Sequence, residues 1–295
     1  MKKNTGAVIA IAAAVFWGFS GTCGQYIFET FPVDASHLTS LRMLSAGLIL
    51  VVIGMAGRKP EMKTIWKDRN SVRDLLIFSV FGIMLCQLSY MKAIQWTNSG
   101  TATILQYTGP VMIMVVTCLS EKRLPQRKET LAICMALLGT FLLATHGNIH
   151  TMVLTPRGLV WGILAAVTLA AYTLLPQKLI ARYGSIAVTG YGMVLGGVVL
   201  SLLTRVWTMD FTPDYRFFLA FGAIVVLGTA LSFSMFLKGV SMIGPVKASL
   251  IASIEPVAAT VFMILWLKVP FQLMDLAGFL CIFVTVFLLL KKEKD

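Results

Sequence analysis

Charge is scarce in this chain of 295 residues: Asp, Glu, Lys and Arg together make up 13%, against 57% hydrophobic residues. A soluble domain of that length has too little interior for so much apolar side chain, so a water-soluble globular fold is excluded. Cysteine is sparse as well. Cys23, Cys86, Cys118, Cys134 and Cys281 stand singly in apolar stretches with no CxxC pair, which leaves neither a disulfide framework nor a zinc site. His37, His146 and His150 fall near span ends and read as interfacial residues, so no metal site is expected. There is no GxxxxGK[ST], no HExxH and no clear nucleophile and base pair, so ATP-driven pumping and zinc hydrolysis are excluded and no cofactor is expected. Long period-two alternation is missing too, which excludes a membrane β-barrel.

What the chain does have is apolar runs of roughly twenty residues, the length that crosses about 30 Å of hydrocarbon as a helix. The mean hydropathy is +0.82. Ten spans are expected, at 6–27, 36–56, 73–94, 99–119, 130–146, 157–177, 184–205, 216–237, 246–267 and 272–290. Lys2, Lys3 and the apolar stretch after them imitate a secretory signal, but the run continues through Phe19 and reads as a retained first helix. The net charge of +12 would suit nucleic acid if it were clustered on a soluble face. It is not. With the amino terminus inside, only Arg157, Arg205, Arg216 and Lys268 fall outside, while Arg42 and Lys92 lie within spans and every other Lys and Arg falls inside. That asymmetry is the positive-inside rule and places both termini in the cytoplasm; it implies membrane lipid, not nucleic acid, as the partner of the basic residues.

The chain also echoes itself. Gly82, Leu85, Lys92, Ala102, Pro110, Val111 and Lys122 recur at one constant offset as Gly228, Leu231, Lys238, Ala248, Pro256, Val257 and Lys268. Two copies of one unit are implied, at 1–150 and 151–295, with five spans each. An odd number of spans makes the second copy enter the membrane from the opposite side, so the expected fold is all-α, with ten transmembrane helices in two inverted five-helix repeats. Such duplication points to secondary transporters, whose substrate site lies between the repeats near the bilayer midplane.

These residues resemble the drug/metabolite transporter superfamily, in its EamA-type ten-helix form. The resemblance spans essentially the whole chain and rests on FWG at 16–18, SLR at 40–42, KAIQWTNSGTATILQYTGPV at 92–111, SEKRLPQRKE at 120–129 and KGVSMIGPVKASLIASIEPV at 238–257. It implies a carrier of small metabolites, amino acids or amphipathic drugs in a prokaryotic cytoplasmic membrane. Its cavity would be lined by the third, fourth, eighth and ninth helices and capped by the first and sixth. The family tends to place a glutamate after the fourth and ninth helices; Glu121 fits, whereas Leu267 stands at the second position.

Glu255 is the leading site residue, because a carboxyl group in the middle of the ninth span needs water, a proton or a partner. Pro256 beside it removes a backbone donor, a break tolerated where helix borders a cavity or protein interior. Its repeat partner Pro110 follows Gly109, so the halves share the backbone device but not the charge. Gln87 and Tyr90, with Lys92 just off their face, offer hydrogen bonds from the third span, as do Thr103, Gln106 and Tyr107 from the fourth. The second half supplies Phe233, Phe236, Ser249 and Ser253, and Trp17 and Tyr172 are placed to close the cavity. Lys92 reads as a cavity or outer-gate residue and Lys238 as an interfacial anchor. Arg42 is expected either to snorkel outward, to neutralise Glu29 or Asp34, or to face inward and meet an anion in the cavity, and the resemblance to the family's second-helix arginine adds a helix-tethering role. Gly158-x-x-x-Gly162 and Gly192-x-x-x-Gly196 permit close helix approach and leave the oligomeric state open. The expected function is a small-molecule exporter for amino acids or related metabolites working by alternating access, with Glu255 either coupling a proton or binding a substrate amine. A multidrug exporter is the alternative, and a channel or an intramembrane enzyme the distant ones.

Overall fold

Each of the expected apolar runs forms a helix long and apolar enough to cross a bilayer: α1 (Asn4–Thr30), α2 (Ala35–Ala56), α3 (Arg69–Trp96), α4 (Ser99–Ser120), α5 (Arg127–Thr145), α6 (Pro156–Leu174), α7 (Gln177–Thr204), α8 (Tyr215–Ile243), α9 (Pro245–Trp266) and α10 (Leu273–Leu290). The computed structural model describes residues 2–290 except 98, 153, 211, 267 and 269–271. Leu267 and the basic residues Lys291, Lys292 and Lys294 therefore lie outside the described residues. Among those described there is no strand.

Local chemistry sets the helix starts. Side-chain oxygens of Asp34, Asp68, Thr155 and Asp214 accept from the first free amides of α2, α3, α6 and α8, filling donors that the helix itself leaves open. A capping box of Gln126 and Glu129 begins α5. Two boundaries differ from the hydropathy reading. α8 runs past the expected end at 237 to Ile243 and stops at Gly244, whose φ of 85° ends the helix. α7 opens with a separate helical run across 177–183, broken from the rest of the element by Gly184 at φ 73°, ψ 162°. That run carries Lys178 and Arg182, and so escapes a search for apolar stretches.

Two irregularities repeat. Residues Phe78–Met84 of α3 and Ile224–Leu231 of α8 wind as π-helix, at positions that the sequence echo superposes. Wide turns of this kind mark functional helices more often than structural ones. α4 breaks at Tyr107 and Thr108 before Gly109 and Pro110, and α9 breaks at Ala252 and Ser253 before Pro256.

Helix contacts follow the same exchange of halves. The extensive pairs include α2 with α7, α5 with α10, α3 with α6 and α1 with α8. Swapping the first five helices for the last five maps the first two pairs onto themselves and turns α3–α6 into α8–α1. Small residues allow the closest approaches within this one chain: a Cβ on Gly196 of α7 would stand 2.6 Å from the Ser79 carbonyl in the π segment of α3.

Ion pairs tie both ends. At the end where the chain begins, Arg182 Nη1 donates to Asp68 Oδ2 at 2.6 Å, and Arg123 bridges Glu121 and Glu129. At the opposite end Lys92 Nζ donates to Asp34 Oδ2 at 2.7 Å, and His146 Nδ1 lies 2.6 Å from the buried Asp275 Oδ1, joining α5 to α10.

Candidate substrate cavity

The broken segments of α4 and α9 meet at mid-depth beside an internal cavity of about 60 Å³. Since one water needs roughly 10–15 Å³ measured this way, about four to six water-sized groups fit. α1, α2, α3, α4, α6, α8 and α9 all contribute to its wall.

Glu255 lies on that wall and is 9% exposed. Pro256 has no amide hydrogen to give the carbonyl one turn back, at Ala252. The Tyr107 hydroxyl donates to that carbonyl at 2.6 Å, reaching across from the other half of the chain. A phenol has one proton, and Tyr107 spends it there. Glu255 Oε2 stands 3.5 Å from the same oxygen, too far for a strong hydrogen bond. The carboxyl group thus faces the cavity with weak company. Gly18, from the FWG of α1, makes this region tight: a Cβ on it would lie 2.6 Å from the Glu255 carbonyl oxygen.

The rest of the wall divides by chemistry. On one side Trp17 packs against Phe233 and Phe236 with ring centroids 5.1 and 5.0 Å apart. On the other are Gln87, Tyr90, Gln106 and Tyr107, with Ser249 and Pro110. Several polar atoms here are buried with no hydrogen-bond partner among the described residues: Trp17 Nε1, Arg42 Nε, and both Oε1 and Nε2 of Gln87. Buried polar groups are nearly always paired, and each unpaired one costs about 1–3 kcal/mol. Four such atoms around one cavity mark a surface built to be completed by something else.

The structure brings together most of the expected site residues and moves others. Arg42 turns inward to the cavity, 3% exposed; it does not neutralise the acids near it, since Lys92 holds Asp34 and Gln25 donates to Glu29 at 2.9 Å. Lys92 is outside the cavity, in the end pair with Asp34 and a 3.1 Å bond to Gln95. Tyr172 does not close the cavity. It is fully buried behind the aromatic wall, donating to the Phe233 carbonyl at 2.8 Å, and Leu169 lines the cavity from α6 instead. Thr103 sits one layer back, where its hydroxyl lies 3.0 Å from that of Tyr90. Ser253 is fully buried and bonds the Leu250 carbonyl; Pro256 shapes α9 without lining the cavity. Lys238 is exposed, as expected of an interfacial anchor. Among the described residues no group of His, Cys, Asp and Glu is placed to hold a metal ion. Ser20, Cys86 and Met91 also line the wall and carried no sequence signal distinguishing them from packing residues.

Ten helices long and apolar enough to span a membrane, around a mostly apolar cavity that carries a few buried polar side chains, describe a multi-pass membrane transporter. The model of the EamA-like transporter family matches residues 4–145 and 156–291, and the chain belongs to that family. It is 39% identical over 289 residues to YicL, an uncharacterized inner membrane transporter of Salmonella typhimurium, covering 98% of this chain and 96% of that protein. YetK, an uncharacterized transporter of Bacillus subtilis, is 24% identical, with 100% of this chain and 90% of that protein covered. A solved crystal structure superposes with a TM-score of 0.80 at 15% identity over 97% of this chain and 96% of the other, a likeness of fold alone.

Proposed function

We propose that this protein is a secondary active carrier that exports small metabolites, amino acids foremost, across a bacterial cytoplasmic membrane by alternating access, with Glu255 alternating between a proton and the substrate's amine. The observation that carries this reading is the under-partnered Glu255 carboxyl on a cavity built from both halves of the chain. A buried acid inside a membrane protein is tolerated where it serves an ion or substrate path. The ionisable side chains around the same cavity are Arg42, Tyr90, Tyr107 and Cys86; Glu255 is its carboxyl group.

Size favours the metabolite over the drug. A pocket for a drug-sized amphiphile has roughly 300 Å³ or more, against about 60 Å³ here. The paired breaks in α4 and α9 favour a carrier over a channel, because they give each half its own bending point. The excess of Lys and Arg at the end where the chain begins supports both termini in the cytoplasm, with the two halves inverted.

Counterflow in liposomes tests the proposal. Protein preloaded with an unlabelled small amino acid should take up the labelled one in a saturable way, faster than empty vesicles do. Flux that is linear in concentration and indifferent to preloading would mean a channel.

A further inference from the structure

The cavity has a second charged pole. Arg42 on α2 lines the same cavity as Glu255 on α9, and it is in no ion pair among the described residues. Among the described residues its Nε has no hydrogen-bond partner, and on the same cavity wall neither amide atom of Gln87 has one, with Gln87 1% exposed. Arg42 and Glu255 are not joined to each other. Tyr90 lines the cavity with both.

An unpaired guanidinium inside a membrane protein carries a large desolvation cost, and removing one partner of a buried charge pair costs several kcal/mol. A helix-tethering arginine would avoid that by bonding carbonyls or an acid. This one does neither through Nε. Guanidinium presents a planar fork of donors that matches a carboxylate with two parallel bonds, and Gln87 adds an amide N–H donor group and a carbonyl acceptor to the same cavity lining.

We infer that the substrate is a small zwitterion, its carboxylate held by Arg42 and Gln87 and its ammonium by Glu255, so that the site rejects amines lacking a carboxylate. Arg42 thereby becomes a specificity-determining residue. This deepens the amine reading of Glu255 and rests on it, but the two fail separately. A zwitterion brings one charge to each pole, and a cation alone leaves Arg42 uncompensated in a buried site. Sites that bond a substrate group reject analogues lacking it by large factors, because the site's own polar groups are then stranded.

The test uses the purified full chain in lipid nanodiscs. The probes are glycine, L-alanine, L-serine and L-glutamine, their methyl esters, which keep the amine and lose the acid, and their N-acetyl forms, which keep the acid and lose the amine. Binding is read by thermal shift and competition. At least one free amino acid is expected to bind tenfold or more tighter than its methyl ester and its N-acetyl form. In Arg42→Lys the preference over the ester should fall several-fold, because the charge stays and the fork is lost; in Gln87→Leu it should fall less. An ester that binds wild-type protein as well as its parent acid overturns the zwitterion inference while leaving the amine reading intact, and this comparison needs no variant to fold. Binding of none of the four amino acids also overturns it. Preference for the free acid that survives Glu255→Gln unchanged, with the N-acetyl form binding equally, would instead remove Glu255 and leave Arg42 as the recognised pole.

Discussion

Pro256 withholds an amide hydrogen from the Ala252 carbonyl, and Tyr107 supplies a phenol in its place at 2.6 Å. The Glu255 amide also reaches that carbonyl, at 2.9 Å, so Tyr107→Phe should cost about 1 kcal/mol, the net worth of one bond. A lowered thermal midpoint of the purified variant, with the cavity's ligand preference unchanged, is the expected result. Asp34 makes a separate residue-scale prediction. Partial burial opposes its charge, but the hydrogen bond from Lys92 and those from Ser36 outweigh this and hold its pKa down at about 2, from an ordinary 3.8. A depressed carboxylate contributes stability that is full above the ordinary value and is lost as pH falls through the lowered one. The gap in thermal midpoint between wild type and Asp34→Asn should therefore stay constant from pH 5 to 8 and close only toward pH 2. A gap that changes between pH 5 and 8 would contradict the assignment, and a constant one leaves the pH dependence of transport to another group. At this scale helical spacing paired Gln87 with Tyr90, and depth within the spans singled out Gln106, Tyr107 and Glu255, all five of which line the one cavity. It failed for Ser253 and Thr103, because a hydroxyl in a helix bonds its own preceding turn and gives no outward sign of doing so. It failed for Tyr172, whose position depends on how α6 is rotated against α8.

The broken helices carry the mechanical part of the proposal. α4 and α9 each lose regular winding where a proline follows, and each break faces the other across the cavity. Pro110→Ala or Pro256→Ala restores the missing donor and straightens one bending point. Each variant should slow counterflow several-fold while shifting the affinity for a bound amino acid by less than about threefold, on the reasoning that exchange between access states is affected more than contact. Unchanged counterflow in both removes the hinge role. The spans, the proline pair and the echo between halves were legible because each leaves a mark in hydropathy or in residue identity. The π-helical turns of α3 and α8 were not: winding by one extra residue per turn leaves composition untouched, and only Gly82 and Gly228, repeated inside those segments, hint at a shared local shape.

For the molecule as a whole, the two halves share a backbone plan and divide the chemistry, the first supplying Arg42, Gln87 and Tyr107 and the second the carboxylate and the two phenylalanines. The ion pairs at the bundle ends are divided as well, with Asp68–Arg182 closing one end and Asp34–Lys92 the other; these partners, far apart in the sequence, could not be matched without the fold. In the orientation proposed above, the basic loop between α2 and α3 faces the cytoplasm, so a cysteine at the exposed Lys63 should resist an impermeant maleimide added to intact cells and react after lysis. Labelling from outside would reverse the orientation and with it the direction of export. The central claim is that Glu255 links the cavity to a proton. Its most direct measurement is accumulation of a labelled small amino acid in liposomes under an imposed pH gradient, set beside counterflow without one, for wild type and Glu255→Gln. The account predicts that the glutamine variant loses gradient-driven accumulation and keeps measurable counterflow; wild-type accumulation and pH dependence in that variant would contradict it.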